Sequence, residues 1–129
     1  MYDCNVVVID DDSIILELLG IILEDMIAGE IVRFSDSVAA LEYVKSSEMN
    51  KISLVICDWL MPQVSGLDIL AALRQNKPDC PFLMLTANAT KKLVVESMRL
   101  GASDFIVKPF HSADLTAKVE RLIHDINID

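Results

Sequence analysis

With 129 residues, 53% of them apolar, the chain is sized for one folded domain with a single core and is too apolar for a disordered segment. A formal charge of −9 argues against direct contact with nucleic acid or an anionic membrane, because the domain's own field repels phosphate. Cys4, Cys57 and Cys80 form no CxxC pair and read as reduced thiols of a cytoplasmic protein, Tyr2-Asp3-Cys4-Asn5 is neither basic nor apolar and reads as no signal peptide, and no apolar stretch reaches the roughly 18 residues of a membrane span.

Strand and helix patterns alternate five times, with no linker, repeat or low-complexity tract, so residues 1–129 read as a single domain. Val6–Ile9 is short, β-branched and wholly apolar, as expected of a strand buried on both faces. A helix follows over Ser13–Ile27, with Asp12 or Ser13 placed to cap its start and Gly29 at its stop. Ile31–Phe34 is a second strand, and Ser37–Ser46 a second helix turning Val38, Leu41 and Val44 inward. The third strand is Leu54–Cys57, and the third helix Gly66–Asn76 presents Leu67, Leu70 and Leu73 or Ala71 on one face. Pro78 and Pro81 separate it from the fourth strand, Phe82–Thr86. Thr90–Leu100 is a helix stopped by Gly101, Phe105–Val107 the fifth strand, and Ser112–Ile126 the last helix, with Leu115, Val119, Leu122 and Ile126 at helical spacing.

Five βα units of about 20–25 residues predict an α/β fold, a doubly wound five-stranded parallel sheet with helices on both faces. In the order 2-1-3-4-5 the first and third strands lie side by side, and ligands of such sheets bind outside the strands' carboxyl ends. Four strands end on polar residues: the first on Asp10, Asp11 and Asp12, the third on Asp58, the fourth on Thr86 and the fifth on Lys108. Carboxylates about 4 Å apart at an effective dielectric near 20 repel by roughly 4 kcal/mol per pair, so such a cluster raises its own pKa values or holds a cation. Mg2+ suits the set, since it takes oxygen ligands and commonly shares them with a phosphoryl group. Asp58 is the carboxylate best placed as nucleophile, with Lys108 and Thr86 able to stabilise phosphoryl charge. A lone Asp after a strand is usually a turn former or cap, and Asp12 is assigned wholly to that role.

The segments Val7-Val8-Ile9-Asp10-Asp11-Asp12-Ser13, Asp58-Trp59-Leu60-Met61-Pro62 with Gly66, Met84-Leu85-Thr86-Ala87, Gly101-Ala102-Ser103 and Lys108-Pro109-Phe110 together resemble the response-regulator receiver domains of two-component signalling, over almost the whole chain. The resemblance implies that a histidine kinase or phosphotransfer protein phosphorylates Asp58. It implies that Asp11 and Asp58 ligate Mg2+ directly, with the Leu60 carbonyl as a further ligand and Asp10 acting mainly through a metal-bound water. Thr86 and Lys108 would bind the phosphoryl oxygens, and Phe105 would turn inward as the switch aromatic when Thr86 moves. The Lys108–Pro109 peptide is expected to be cis. The implied protein is a signalling switch and not a turnover enzyme, apart from its own phosphorylation and dephosphorylation. Its output face would be helix 4, strand 5 and helix 5, acting on an output protein that the sequence does not name.

Three departures stand out. Phe105 occupies a position where tyrosine is common, which removes any signal carried by a phenol hydroxyl. Leu60 and Asn88 lie at two variable rim positions that tune how water reaches the phosphoryl group. The first helix carries Ile14, Ile15, Leu16, Leu18, Leu19, Ile21, Ile22, Leu23, Met26 and Ile27, a wider apolar arc than one buried face needs, which is either a greasy core helix or a partner or dimer surface. The alternatives in function are a receiver cut from a longer regulator or hybrid kinase, a flavodoxin-like carrier, and an Asp-nucleophile phosphatase of the haloacid-dehalogenase type. Asp10-Asp11-Asp12 would repel a flavin phosphate, and the phosphatase's DxD nucleophile should end the first strand.

Overall fold

β-Branched and aromatic residues fill five short strands, and each strand hands over to a helix that returns the chain to the same edge of the sheet. The computed structural model of the chain describes residues 1–126, with side chains through His124. The elements are β1 Asn5–Ile9, α1 Ser13–Glu24, β2 Ile31–Phe34, α2 Ser37–Val44, a short 3-10 helix Ser47–Lys51, β3 Ile52–Asp58, α3 Gly66–Asn76, β4 Phe82–Thr86, α4 Lys91–Arg99, β5 Asp104–Val107 and α5 Ser112–Ile126. The sheet order is β2-β1-β3-β4-β5, and every pairing is parallel. No helix among the described residues is long and apolar enough to cross a membrane.

Alternation along the strands splits the interior into two layers. Val6, Val8, Leu54, Ile56, Leu83, Leu85 and Ile106 face α1 and α5. Val7, Ile9, Val55, Cys57, Phe82 and Met84 face α2, α3 and Leu93 of α4. Both sides of the three central strands are covered, so Val6–Ile9 and Leu54–Cys57 are buried without interruption. On α1, Leu19 and Leu23 are fully buried, each worth about 1.5–3 kcal/mol in apolar area removed from water.

Helix starts follow from local hydrogen bonding. Asp12 caps α1 by accepting the Ile14 N–H, and Asp36 caps α2 by accepting those of Val38 and Ala39. Ser65 and Asp68 form a reciprocal capping box on α3, and Thr90 caps α4. Helix α4 ends in a Schellman motif, in which the Ala102 N–H donates to Ser97 O at 3.0 Å and the Gly101 N–H to Met98 O at 3.1 Å.

Several expectations shift. Helix α1 stops at Glu24 on a right-handed Asp25 cap, so Gly29 is not its terminator. Strand β3 begins two residues before Leu54, after the 3-10 helix, which carries no strong periodic signal in the sequence. On α2, Val44 is buried as expected and Leu41 packs partly buried against the core, but Val38 is 39% exposed, and Ala40 and Ser37 are buried in its place. On α3, Ala71 is exposed while Ile69, Leu70, Ala72 and Leu73 are buried. On α5, Leu115, Val119 and Leu122 face inward, and Ile126 lies outside the described side chains. The α1 arc divides: Leu16, Leu19 and Leu23 are core, but Ile14 (74%), Leu18 (40%) and Ile21 (57%) form an exposed stripe, so the helix is not simply a greasy core element.

Gly101 has φ 106, and a Cβ there would lie 2.7 Å from Arg74 Nε, whose guanidinium donates to the Gly101 carbonyl from Nε at 3.0 Å and from Nη2 at 2.6 Å. Gly101→Ala is therefore expected to lower stability by roughly 1–3 kcal/mol. Urea unfolding midpoints would measure this, and an unchanged midpoint would contradict the account of the α4 terminus.

Candidate functional site

Strands β1 and β3 lie side by side with Ile9 opposite Cys57, so the next residues, Asp10 and Asp58, arrive at the same edge of the sheet. Asp58 is the last residue of β3 and is buried. The Trp59 N–H donates to Leu85 O at 2.9 Å and the Gly66 N–H to Trp59 O at 2.8 Å, which fixes the backbone just beyond Asp58. Gly66 opens α3 against that backbone, where a Cβ would lie 2.5 Å from the Asp58 carbonyl oxygen.

Asp10 has no exposed surface and uses both oxygens. Oδ1 accepts the Asp12 N–H at 2.9 Å, and Oδ2 accepts from Lys108 Nζ at 2.6 Å. Lys108 follows β5 and is anchored by its own N–H to Thr86 O at 2.8 Å. Its ammonium also lies 3.3 Å from Asp58 Oδ1. Asp10, Asp11 and Asp58 place one carboxylate oxygen each within 4.8 Å of one another, Asp11 being the exposed member. Three hard oxygen donors at that spacing fit a divalent cation of the Mg2+ type.

The electrostatics follow from two buried carboxylates sharing one ammonium. Burial, and then the like charge of Asp10, push the Asp58 carboxyl up to about 6, with Lys108 opposing the shift. Burial alone would push the Lys108 ammonium down, but its hydrogen bond to Asp10 and the charges of Asp10 and Asp58 outweigh it and hold the amine above its usual value. The neighbouring Cys57 thiol is fully buried and pushed well up by burial, so it stays protonated and inert beside the carboxylates.

The remaining expected residues stand around this centre. Thr86 ends β4, is buried, and its Oγ1 accepts the Asn88 N–H at 3.1 Å, which leaves its own O–H free to donate. Leu60 follows Asp58 by two residues with its side chain 71% exposed, so only its backbone can serve the site. Asp12 turns its carboxylate to the Ile14 N–H at 2.9 Å as the helix cap. Phe105 is half-buried and faces Met84 in register, while Thr86 faces Val107, so Thr86 and Phe105 are diagonal neighbours on one face and not a direct cross-strand pair. The Lys108–Pro109 peptide is cis.

Sequence reasoning missed two contacts. Lys118 of α5 sits 5.1 Å over the Phe105 ring, donates to the Phe105 carbonyl at 2.7 Å and pairs with Asp104 at 3.0 Å. Ser37 of α2 donates to the Pro62 carbonyl at 2.6 Å, across 25 residues. Neither contact has a local spacing signal.

The family model for the response regulator receiver domain matches residues 6–120. The chain is 27% identical over 125 residues to the chemotaxis protein CheY of Pseudomonas aeruginosa, covering 95% of this chain and 98% of that one. It is 33% identical over 119 residues to the alkaline phosphatase synthesis transcriptional regulatory protein PhoP of Bacillus subtilis, covering 92% of this chain but 48% of PhoP. A receiver domain protein from Clostridium thermocellum superposes with a TM-score of 0.87 at 29% identity, over 97% of this chain and 98% of that one. These likenesses set aside the flavodoxin-like and dehalogenase-type alternatives. The chain belongs to the response-regulator receiver domains of two-component signalling, and within them it is CheY-like.

Proposed function

We propose that the domain is a phosphorylation-dependent switch that accepts a phosphoryl group on Asp58, with residues 1–129 acting as one receiver unit. The observation that carries this is the pairing of a buried, poorly compensated Asp58 carboxylate with a single ammonium, Lys108, 3.3 Å away. The donor is the phosphohistidine of a histidine kinase or phosphotransfer protein in the cytoplasm. An Asp58 oxygen attacks phosphorus, the new P–O bond forms as the P–N bond breaks, and the leaving imidazole keeps the electron pair and takes up a proton. Hydrolysis reverses the state: water bonds to phosphorus, the Asp58–phosphorus bond breaks and inorganic phosphate leaves.

Asp11, Asp58 and the Leu60 carbonyl would hold Mg2+ directly, with Asp10 reached through water. When bound, Mg2+ supplies positive charge that offsets the carboxylate cluster and the transferring phosphoryl group. Lys108 then exchanges its carboxylate contacts for phosphoryl oxygens, and the Thr86 hydroxyl donates to the same group. That draws Thr86 away from Phe105's side of the sheet and opens space for the ring to turn inward. The altered face comprises α4, β5 and α5, where Val95, Met98, Leu100 and Val107 are exposed for an output partner.

Three measurements test this reading. First, incubation with a small phosphodonor and Mg2+ is expected to add one phosphoryl group, located on Asp58 by mass spectrometry, and undiminished labelling of Asp58→Asn would overturn the assignment. Second, Mg2+ titration followed by Trp59 fluorescence is expected to lose its response in Asp11→Asn and to keep it in Asp12→Asn, whose carboxylate caps α1. Equal loss in both would contradict the ligand set.

Third, stability without divalent metal should carry the cost of the Asp58 charge. The folded carboxyl is pushed up to about 6 from the ordinary 3.8, so between these values the folded state holds more protons than the unfolded chain. Stability from this group therefore falls as pH rises through that window, by an amount on the order of 3 kcal/mol, and the cost is complete above it. Asp58→Asn in EDTA is expected to gain about 1–3 kcal/mol at pH 7.5, with the gain shrinking toward zero by about pH 4. Urea unfolding across pH would show it, and a destabilised Asp58→Asn at pH 7.5 would mean that the carboxylate is well compensated.

A further inference from the structure

The loop from β3 to α3 contains a strained turn that one distant hydroxyl holds at both ends. Gln63 has φ 71, and the Val64 N–H donates to Pro62 O at 2.8 Å, across a single residue. That combination is the rare, strained form of the γ-turn, with its central residue on the left-handed side of the map. For a residue with a Cβ, such backbone costs on the order of 1–3 kcal/mol and persists only where the surroundings over-determine it. The surroundings here are Ser37. Its hydroxyl donates to the Pro62 carbonyl at 2.6 Å and accepts from the Val64 N–H at 3.3 Å, so it bridges the two groups that close the turn. Ser37 is buried at the first position of α2, whose N-terminus is in turn fixed by Asp36.

The same loop carries Leu60. Its far end is pinned by the Gly66 N–H to Trp59 O, and among the described residues no backbone hydrogen bond outside the regular elements involves Leu60 or Met61. The path of Leu60 is therefore set by the base of the loop at Trp59 and by the turn at Gln63. We propose that Ser37 is a positioning residue for cation binding: by locking the strained turn it fixes the loop that presents the Leu60 carbonyl to the carboxylate cluster. Ser37 touches neither the cation nor the phosphoryl group. This inference rests on the reading of the cluster as a Mg2+ site.

The test is a Mg2+ titration of the full chain by Trp59 fluorescence, with circular dichroism and unfolding in EDTA to establish that each variant is folded. Ser37→Ala is expected to weaken Mg2+ binding roughly tenfold, the low end for a group that orients a metal ligand. Its phosphorylation rate with a small phosphodonor should need correspondingly more Mg2+ but reach the wild-type maximum at saturation, a split that general loosening of the fold would not produce. Adding Gln63→Gly, which adopts the turn without a Cβ penalty, should recover part of the lost affinity. If Ser37→Ala does not fold, Ser37→Cys, close in shape and a weaker donor, carries the same expectation. A wild-type protein without a saturable Mg2+ response overturns the reading of the site. Saturable wild-type binding with a folded Ser37 variant within twofold of it overturns the role of Ser37 alone.

Discussion

Two carboxylates taken out of water around one ammonium are the constraint on which the rest of this domain depends. Asp10 satisfies both of its oxygens, one on Lys108 and one on the Asp12 N–H. Asp58 receives what is left, a longer contact to the same ammonium and the repulsion of Asp10. The α1 N-terminus relieves part of this, because its free N–H groups and dipole favour negative charge beside them. The relief reaches Asp10 through a direct hydrogen bond, whereas the Asp58 carboxylate lies 3.3 Å from the Lys108 ammonium and beside the Asp11 side chain, whose contact pushes its pKa further up. An acid left half-compensated in a dry place is expensive to keep ionised and therefore responsive to any added positive charge or to covalent neutralisation. The fold supplies that place through the order of its strands, since only the adjacency of β1 and β3 brings the two aspartates to one crevice.

The route from that crevice to the far face runs through short, specific contacts. Lys108 hangs from β4 by its backbone N–H on Thr86 O, so β4 and β5 share the polar end of the sheet. Thr86 already spends its oxygen on Asn88, and Phe105 lies diagonally across from it with Lys118 over the ring. A ring in that position is held in the half-buried state by a contact worth about 0.5–1 kcal/mol at such a partly exposed site. Under the proposed switch, inward rotation of Phe105 would give up that contact, so the inducing group would have to interact with the two states differently by more than this amount. The hydroxyl of Thr86 can do so, because its donor is unspent while its acceptor is engaged.

The sequence was most legible where one residue type could mean only one thing to the backbone. Unbroken runs of Val, Ile and Leu marked the central strands, and the polar residue ending each run marked the functional edge without knowledge of any contact. Asp12 could be assigned to capping because a carboxylate before an apolar helix has a local partner to satisfy. Legibility failed where the partner was distant. Val38 looked like a core residue on helical spacing, but α2 is short and turns Ala40 and Ser37 inward beside the expected Val44. The 3-10 helix Ser47–Lys51 depends on Lys77, whose ammonium donates to the carbonyls of Met49, Asn50 and Ile52 from the end of α3. The wide α1 arc left both of its readings open, since periodicity shows which residues share a helix face and not whether anything covers that face.

Those distant partners share one chemistry. Ser37, Arg74, Lys77 and Lys118 each donate from a side chain to backbone carbonyls of another element, those of Pro62, Gly101 and Cys80, the Met49–Ile52 segment, and Phe105. A βα fold with short connections leaves carbonyls at loop bases that neither helix nor sheet can use, and a buried carbonyl without a donor is costly. A long or hydroxylated side chain from a neighbouring element removes that cost and at the same time fixes where the loop lies. Two of the four lie near the proposed switch, Ser37 beneath the loop after Asp58 and Lys118 beside Phe105. The Ser37 and Lys118 contacts join residues 25 and 13 apart in sequence, so periodicity does not reveal them, yet each satisfies a backbone carbonyl that its own element leaves without a donor.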